Sequence, residues 1–149
     1  MTAKTALFKA AIAALGLTLL SAQQDMPLRP PGRFTATTTG LLKGTIAGDV
    51  SVSKFRDGHR EIYLQLDSAQ MMATDIMVSV QVTVTPGKPA PTFRLQIENL
   101  KTHQLTYPAA TGTLDLKGRD LLSGRFTVTS TDLTLTGTLD KAPVTKAIE

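Results

Sequence analysis

The chain has 149 residues, a formal net charge of +4, no cysteine, no tryptophan and only 5% aromatic residues. Without cysteine there is no disulfide, no thiolate nucleophile and no zinc–thiolate site. So few aromatics cannot form the girdles of a membrane-spanning β-barrel, and the small positive surplus is too thin for nucleic acid, which calls for a clustered basic face.

The first 22 residues have the layout of a signal peptide. Lys4 and Lys9 precede any acid, an apolar run covers residues 10–20, and Leu20-Ser21-Ala22 supplies small residues at the cleavage position. The run is shorter than the ~20 residues a membrane span needs. Cleavage is expected near Ala22, which makes the protein periplasmic or secreted. The remainder carries 14 basic against 12 acidic side chains and is long enough to bury a core as one domain. Residues 23–32, QQDMPLRPPG, are expected to be a proline-rich linker.

From Arg33 onward the hydrophobic period is two. Phe34, Ala36, Thr38, Gly40, Leu42, Gly44, Ile46, Gly48, Val50 and Val52 share one parity. They predict one long bent strand, or two strands meeting near Gly48-Asp49. Asp57-Gly58 predicts a type I′ hairpin, with a return strand through Ile62, Leu64 and Leu66. Residues 67–74, DSAQMMAT, show no strong pattern and are expected to be a connection. Residues 76–85, IMVSVQVTVT, predict a strand without a single charge, which belongs in a sheet interior because a bare edge of that kind aggregates. After the PGKPAP loop, strands are predicted through Phe93 to Ile97, His103 to Tyr107, Gly112 to Leu116, Leu122 to Val128 and TDLTLTGTLD at 131–140. Residues 141–149 are expected to be a loose tail.

Eight or nine short alternating strands define an all-β class: a single antiparallel jelly roll, curved sandwich or small barrel over residues 33–140. Glycines at 40, 44, 48, 112, 124 and 137 predict strong curvature. No helical periodicity beyond about two turns follows the leader.

Catalytic equipment is sparse. His59 and His103 are the only histidines, and HExxH, GxSxG, GxGxxG and P-loop patterns are absent. The aspartates fall at turns, where they bond their own backbone. No catalytic residue, metal site or cofactor is expected, and the protein is not expected to be an enzyme. The basic hairpin KFRDGHR groups Lys54, Arg56 and Arg60, which suit a lipid headgroup or membrane surface as well as a solvated turn. Met71, Met72 and Met77 suit either an adaptable apolar rim or ordinary packing.

The segment 97–137 resembles the repeats of the OstA-like periplasmic lipopolysaccharide-transport bridge proteins. The likeness is carried by Tyr107, Thr111-Gly112-Thr113-Leu114, Gly118, Thr127 to Thr131 and Leu133. The family's asparagine-valine after the glycine is Arg119-Asp120 here, and PGKPAP interrupts its repeat. The resemblance implies an open β-jelly roll with an apolar slit for acyl chains, end-to-end strand pairing between copies, and no catalysis.

The expected function is non-catalytic binding of an amphipathic cell-envelope molecule, such as a lipid. Tails would lie between the apolar inner faces, with Lys54, Arg56 and Arg60 at the headgroup. The alternatives are an envelope scaffold that pairs with itself or another protein through a strand edge, and a threonine-rich face that binds glycan. A carrier that holds tails between those faces predicts an interior wider than its own side chains can fill. The scaffold requires a packed interior and an unpaired edge.

Overall fold

The structure, a computed structural model, describes residues 31–147. The signal peptide expected over 1–22, and linker residues 23–30, lie outside the described residues. Nine strands follow: β1 (Gly32–Gly40), β2 (Gly44–Lys54), β3 (Arg60–Leu66), β4 (Ile76–Val84), β5 (Thr92–Asn99), β6 (Gln104–Thr106), β7 (Thr111–Lys117), β8 (Leu121–Thr129) and β9 (Leu133–Lys146). One short helix, α1 (Ser68–Thr74), joins β3 to β4. The strands form one sheet in the order β6-β5-β4-β3-β2-β1-β9-β8-β7. Neighbours are antiparallel, and an additional parallel pairing joins the ends of β2 and β9.

Alternation places one apolar residue in two on a common face. That face carries Phe34 and Ala36 on β1, Val50 and Val52 on β2, Ile62 and Leu64 on β3, Val80 and Val82 on β4, and Leu95 on β5. Phe126 and Val128 on β8, with Leu133 and Leu135 on β9, continue it. All belong to one buried cluster, so the sheet curls until the β3–β5 region packs on β8 and β9. The uncharged β4 lies between β3 and β5, in the sheet interior. The curl stops short of a barrel: β5 and the chain before β7 share only the isolated bridge Arg94–Ala109. The result is an open, sandwich-like sheet.

Three local expectations are corrected. First, the break between β1 and β2 falls at residues 41–43, not at Gly48-Asp49. Gly40 (φ +97°) and Gly44 (φ +100°) take the left-handed backbone needed there, whereas Gly48 is mid-strand opposite Phe34. Second, the Asp57-Gly58 hairpin is not type I′. Only Gly58 has positive φ, and the Gly58 N–H donates to the Phe55 carbonyl (3.1 Å) while the Phe55 N–H donates to that of His59 (3.0 Å). This is a three-residue loop with glycine at the left-handed position. Third, residues 141–146 are not loose. Lys141 (φ +48°) makes a bulge, after which β9 pairs with both β8 and β2. Ala142 is completely buried. The expected linker also ends earlier, since Gly32 already belongs to β1.

The helix has a specific reason to sit where it does. β3 ends opposite Gly48, so the preceding part of β2 has no strand on that side. The Asp67 N–H donates to the Ala47 carbonyl (3.0 Å). The Gln70 amide accepts from the Ala47 N–H (2.8 Å) and donates to the Thr45 carbonyl (3.3 Å). One glutamine thus stands in for the missing strand.

On the outer face Arg33 forms two 2.6 Å bonds to Asp67 and one of 2.8 Å to Asp49, tying β1 to β2 and to the start of α1. The Arg33 hydrogen bonds hold the Asp67 carboxyl below its ordinary pKa. A depressed carboxyl contributes stability above its unfolded value of about 3.9 and loses it as pH falls through the folded value. Asp67→Asn is therefore expected to cost about 0.5–1 kcal/mol at pH 7, a partly exposed pair being screened by solvent. The difference from wild type should vanish in urea titrations at acid pH, below the folded pKa of Asp67. An equal gap at every pH would contradict the assignment.

Candidate binding surfaces

The inner faces fill their own space. The void between Phe34, Leu64, Val80, Phe126 and Leu135 is about 10 Å³, barely one water. An acyl chain does not fit in that void.

Room exists instead at the end of the sheet where β1 turns into β2. A groove of about 530 Å³ runs between residues 41–43 and α1. Leu41, Ile46, Leu66, Ala73 and Ile76 line it, with Gln70, Thr74 and the exposed Lys43 as polar groups. A second hollow of about 170 Å³ shares Leu41 and Ile76 and continues to Ile97, Gln104 and Thr106. Leu41 is 48% exposed although it is large and apolar. It is held out by the turn, its N–H donating to the Asp132 carbonyl (2.9 Å).

The expected ligand residues divide between the two ends of the sheet. Lys54 and Arg60 face each other across the β2–β3 hairpin, and Arg56 is exposed in its loop. Met71 packs against the core, Met72 is 78% exposed, and Met77 is half-buried on β4 opposite Glu98. β3 spans seven residues, so about 20 Å separates hairpin and helix. The structure does not bring the methionines to the basic residues. None of the three methionines lines the groove; Leu41 and Ile76 do. Nothing in their local sequence marks them out, because the groove is made by a turn and a helix brought together from different parts of the chain.

At the hairpin tip the Phe55 and His59 rings stack at 4.1 Å and 6°. The His59 N–H donates to the Asp57 carboxylate (3.0 Å), and the ring Nδ1 is bonded to it as well. Those bonds hold Asp57 below its usual pKa. This geometry secures a turn. His103 is a loop residue with φ +56°, beside Glu98 at 3.9 Å.

The outer face explains the threonine-rich strands. Thr113, Thr127, Thr136, Thr37 and Thr45 form one register row across β7, β8, β9, β1 and β2. Thr111, Thr129, Thr134 and Thr39 form the next. A shallow hollow of about 460 Å³ over β7–β9 has Asp115 and Arg125 in its lining. Beside it, among the described residues, β7 pairs only with β8, which leaves the outer edge of Thr113–Lys117 without a strand partner there.

No family model, curated protein or solved structure matches this chain.

Proposed function

We propose that the domain is a non-catalytic extracytoplasmic binding module that takes the apolar part of an amphipathic envelope molecule into the groove between residues 41–43 and α1. The supporting observation is an open apolar groove of about 530 Å³ around a half-exposed leucine. Its size falls in the range of small-molecule sites, about 300–1,000 Å³. Leu41 and Ile76 offer the tail surface to cover, and the exposed Lys43 meets an anionic or polar head. The export reading rests on Lys4, Lys9 and the apolar run before Ala22.

The test is displacement of a fluorescent fatty-acid analogue from the purified protein. Leu41→Asp places a carboxylate in the apolar wall and is expected to weaken binding at least ~10-fold, since burying an unpaired charge is strongly unfavourable. Met72→Asp, outside the groove, is expected to leave affinity unchanged. Absence of binding by wild type, or equal binding by Leu41→Asp, would overturn the proposal.

A second reading is favoured by the packed interior together with the unpaired edge of β7. On that reading the domain is a scaffold that adds a partner strand at Thr113–Lys117. A proline in place of Leu114 would block such pairing while leaving the groove intact.

A further inference from the structure

The end of the sheet opposite the groove assembles a charge arrangement from three separate strands. The last apolar row of the core runs Val144, Val52, Ile62 and Val82 across β9, β2, β3 and β4. The next row on the same face is Lys146, Lys54 and Arg60, completed on β4 by Val84. Two different pairings create it: the β2–β3 hairpin sets Arg60 beside Lys54, and the parallel β2–β9 contact sets Lys146 on the other side. The Ala147 N–H donates to the Lys54 carbonyl (3.0 Å), which fixes this register.

Adjacent strands lie ~4.8 Å apart, and like charges directly opposite one another repel. Among the described residues Lys54, Arg60 and Lys146 have no ion-pair partner. Two nearby carboxylates lie against His59 instead. Asp57 is bonded to His59, and Glu61 lies 3.9 Å from the other ring nitrogen. Asp120 meets β9 through its backbone carbonyl, which accepts from the Val144 N–H (2.9 Å), and its carboxylate pairs with none of the three cations. The loop bearing Lys88 flanks the hairpin, with Pro86 beside Gly58. Three cations thus cap the core in a row with no carboxylate partner among the described residues.

We propose that this end docks the protein on an anionic membrane surface, with Lys54, Arg60 and Lys146 meeting the phosphates of lipid headgroups. None of the hollows described above is lined by Lys54, Arg60 or Lys146. The charges of the basic row are spread across three strands, which suits a plane of many phosphates. Basic residues held near an anionic bilayer each add to the attraction, within a Debye length of the surface. Docked this way, the groove at the far end of β3 faces away from the membrane. This docking is independent of the groove's own ligand and does not involve Leu41.

The test is co-sedimentation of the full chain with phosphatidylglycerol–phosphatidylcholine vesicles and with phosphatidylcholine vesicles alone. Wild type is expected to bind the anionic vesicles more tightly and to lose that preference in about 0.5 M NaCl. Lys146→Glu should weaken anionic binding at least ~10-fold. The Lys54→Gln/Lys146→Gln pair, which removes charge without reversing it, should weaken it about fivefold or more. Lys101→Glu, the same charge change beside α1, should retain wild-type binding. Circular dichroism establishes that each variant is folded. Equal binding to both vesicle types overturns the proposal, as does an equal loss in Lys101→Glu. Inorganic phosphate that displaces the protein far better than chloride at matched ionic strength also overturns it, because that marks a discrete anion site.

Discussion

Phe126→Ala is expected to destabilise the domain by about 3–5 kcal/mol, the usual cost of truncating a fully buried aromatic. Phe126 is 1% exposed and meets Phe34 edge-on, with ring centroids 6.1 Å apart and planes at 79°. Such a contact is worth about 0.5–1.5 kcal/mol beyond the area it buries. With Leu64, Val80 and Leu135, the pair fills the space where the curled sheet meets itself. Removing one ring leaves a cavity between strands that are backbone-bonded in extended ladders, so little collapse can refill it. A loss of this size is a large fraction of the ~5–15 kcal/mol available to a domain. Urea unfolding followed by circular dichroism reads it as a lowered midpoint with an unchanged slope. A cost below about 1.5 kcal/mol would mean the two halves do not pack through Phe126. The groove does not include this ring, so fatty-acid displacement by folded Phe126→Ala should match wild type.

Gly48→Ala carries the second large effect, about 3 kcal/mol of destabilisation, at the upper end of typical overpacking costs. Gly48 faces Phe34 on one side and Leu66 on the other. A β-carbon there runs into the Gln65 carbonyl oxygen and the Phe34 ring. The ring could turn aside, but the carbonyl belongs to the β2–β3 ladder and cannot. Gly48→Ala combined with Phe34→Leu should therefore fail to restore stability. Thermal unfolding of the single and double variants measures this directly. Wild-type stability in the single variant would show that β2 and β3 do not approach closely at this point.

The strands were legible because their signal is local. Alternating valines in IMVSVQVTVT specify an extended chain with one buried face, and the absence of charge specifies an interior position; β4 has both. The break between β1 and β2 was hidden by the same periodicity. Thr38 faces Gly44 and Ala36 faces Ile46, so even-numbered residues point inward on both strands and the pattern runs on through the turn. At β9 the reverse happened. The bulge at Lys141 moves the inward set from Leu135 and Leu139 to Ala142 and the partly buried Val144, and the broken period resembles a tail.

Sites were less legible than strands. The proximity of Lys54 to Arg60 follows from a hairpin only a few residues long. Lys146 joins them through a parallel pairing between distant parts of the chain, with no local signal to announce it. Met71, Met72 and Met77 attract notice by composition, yet the groove depends on a turn leucine and the first residue of β4.

Sequence alone determined the all-β class, the face each strand buries, the interior place of β4 and the lack of recognisable catalytic motifs. These depend on side-chain period, turn chemistry and composition, all properties of neighbouring residues. Tertiary structure decided that the interior is filled, that the sheet remains open, that the apolar room lies at one end, and that three cations line up at the other. Those outcomes depend on how far the sheet curls and on contacts between β2 and β9, which are set by packing across the whole chain.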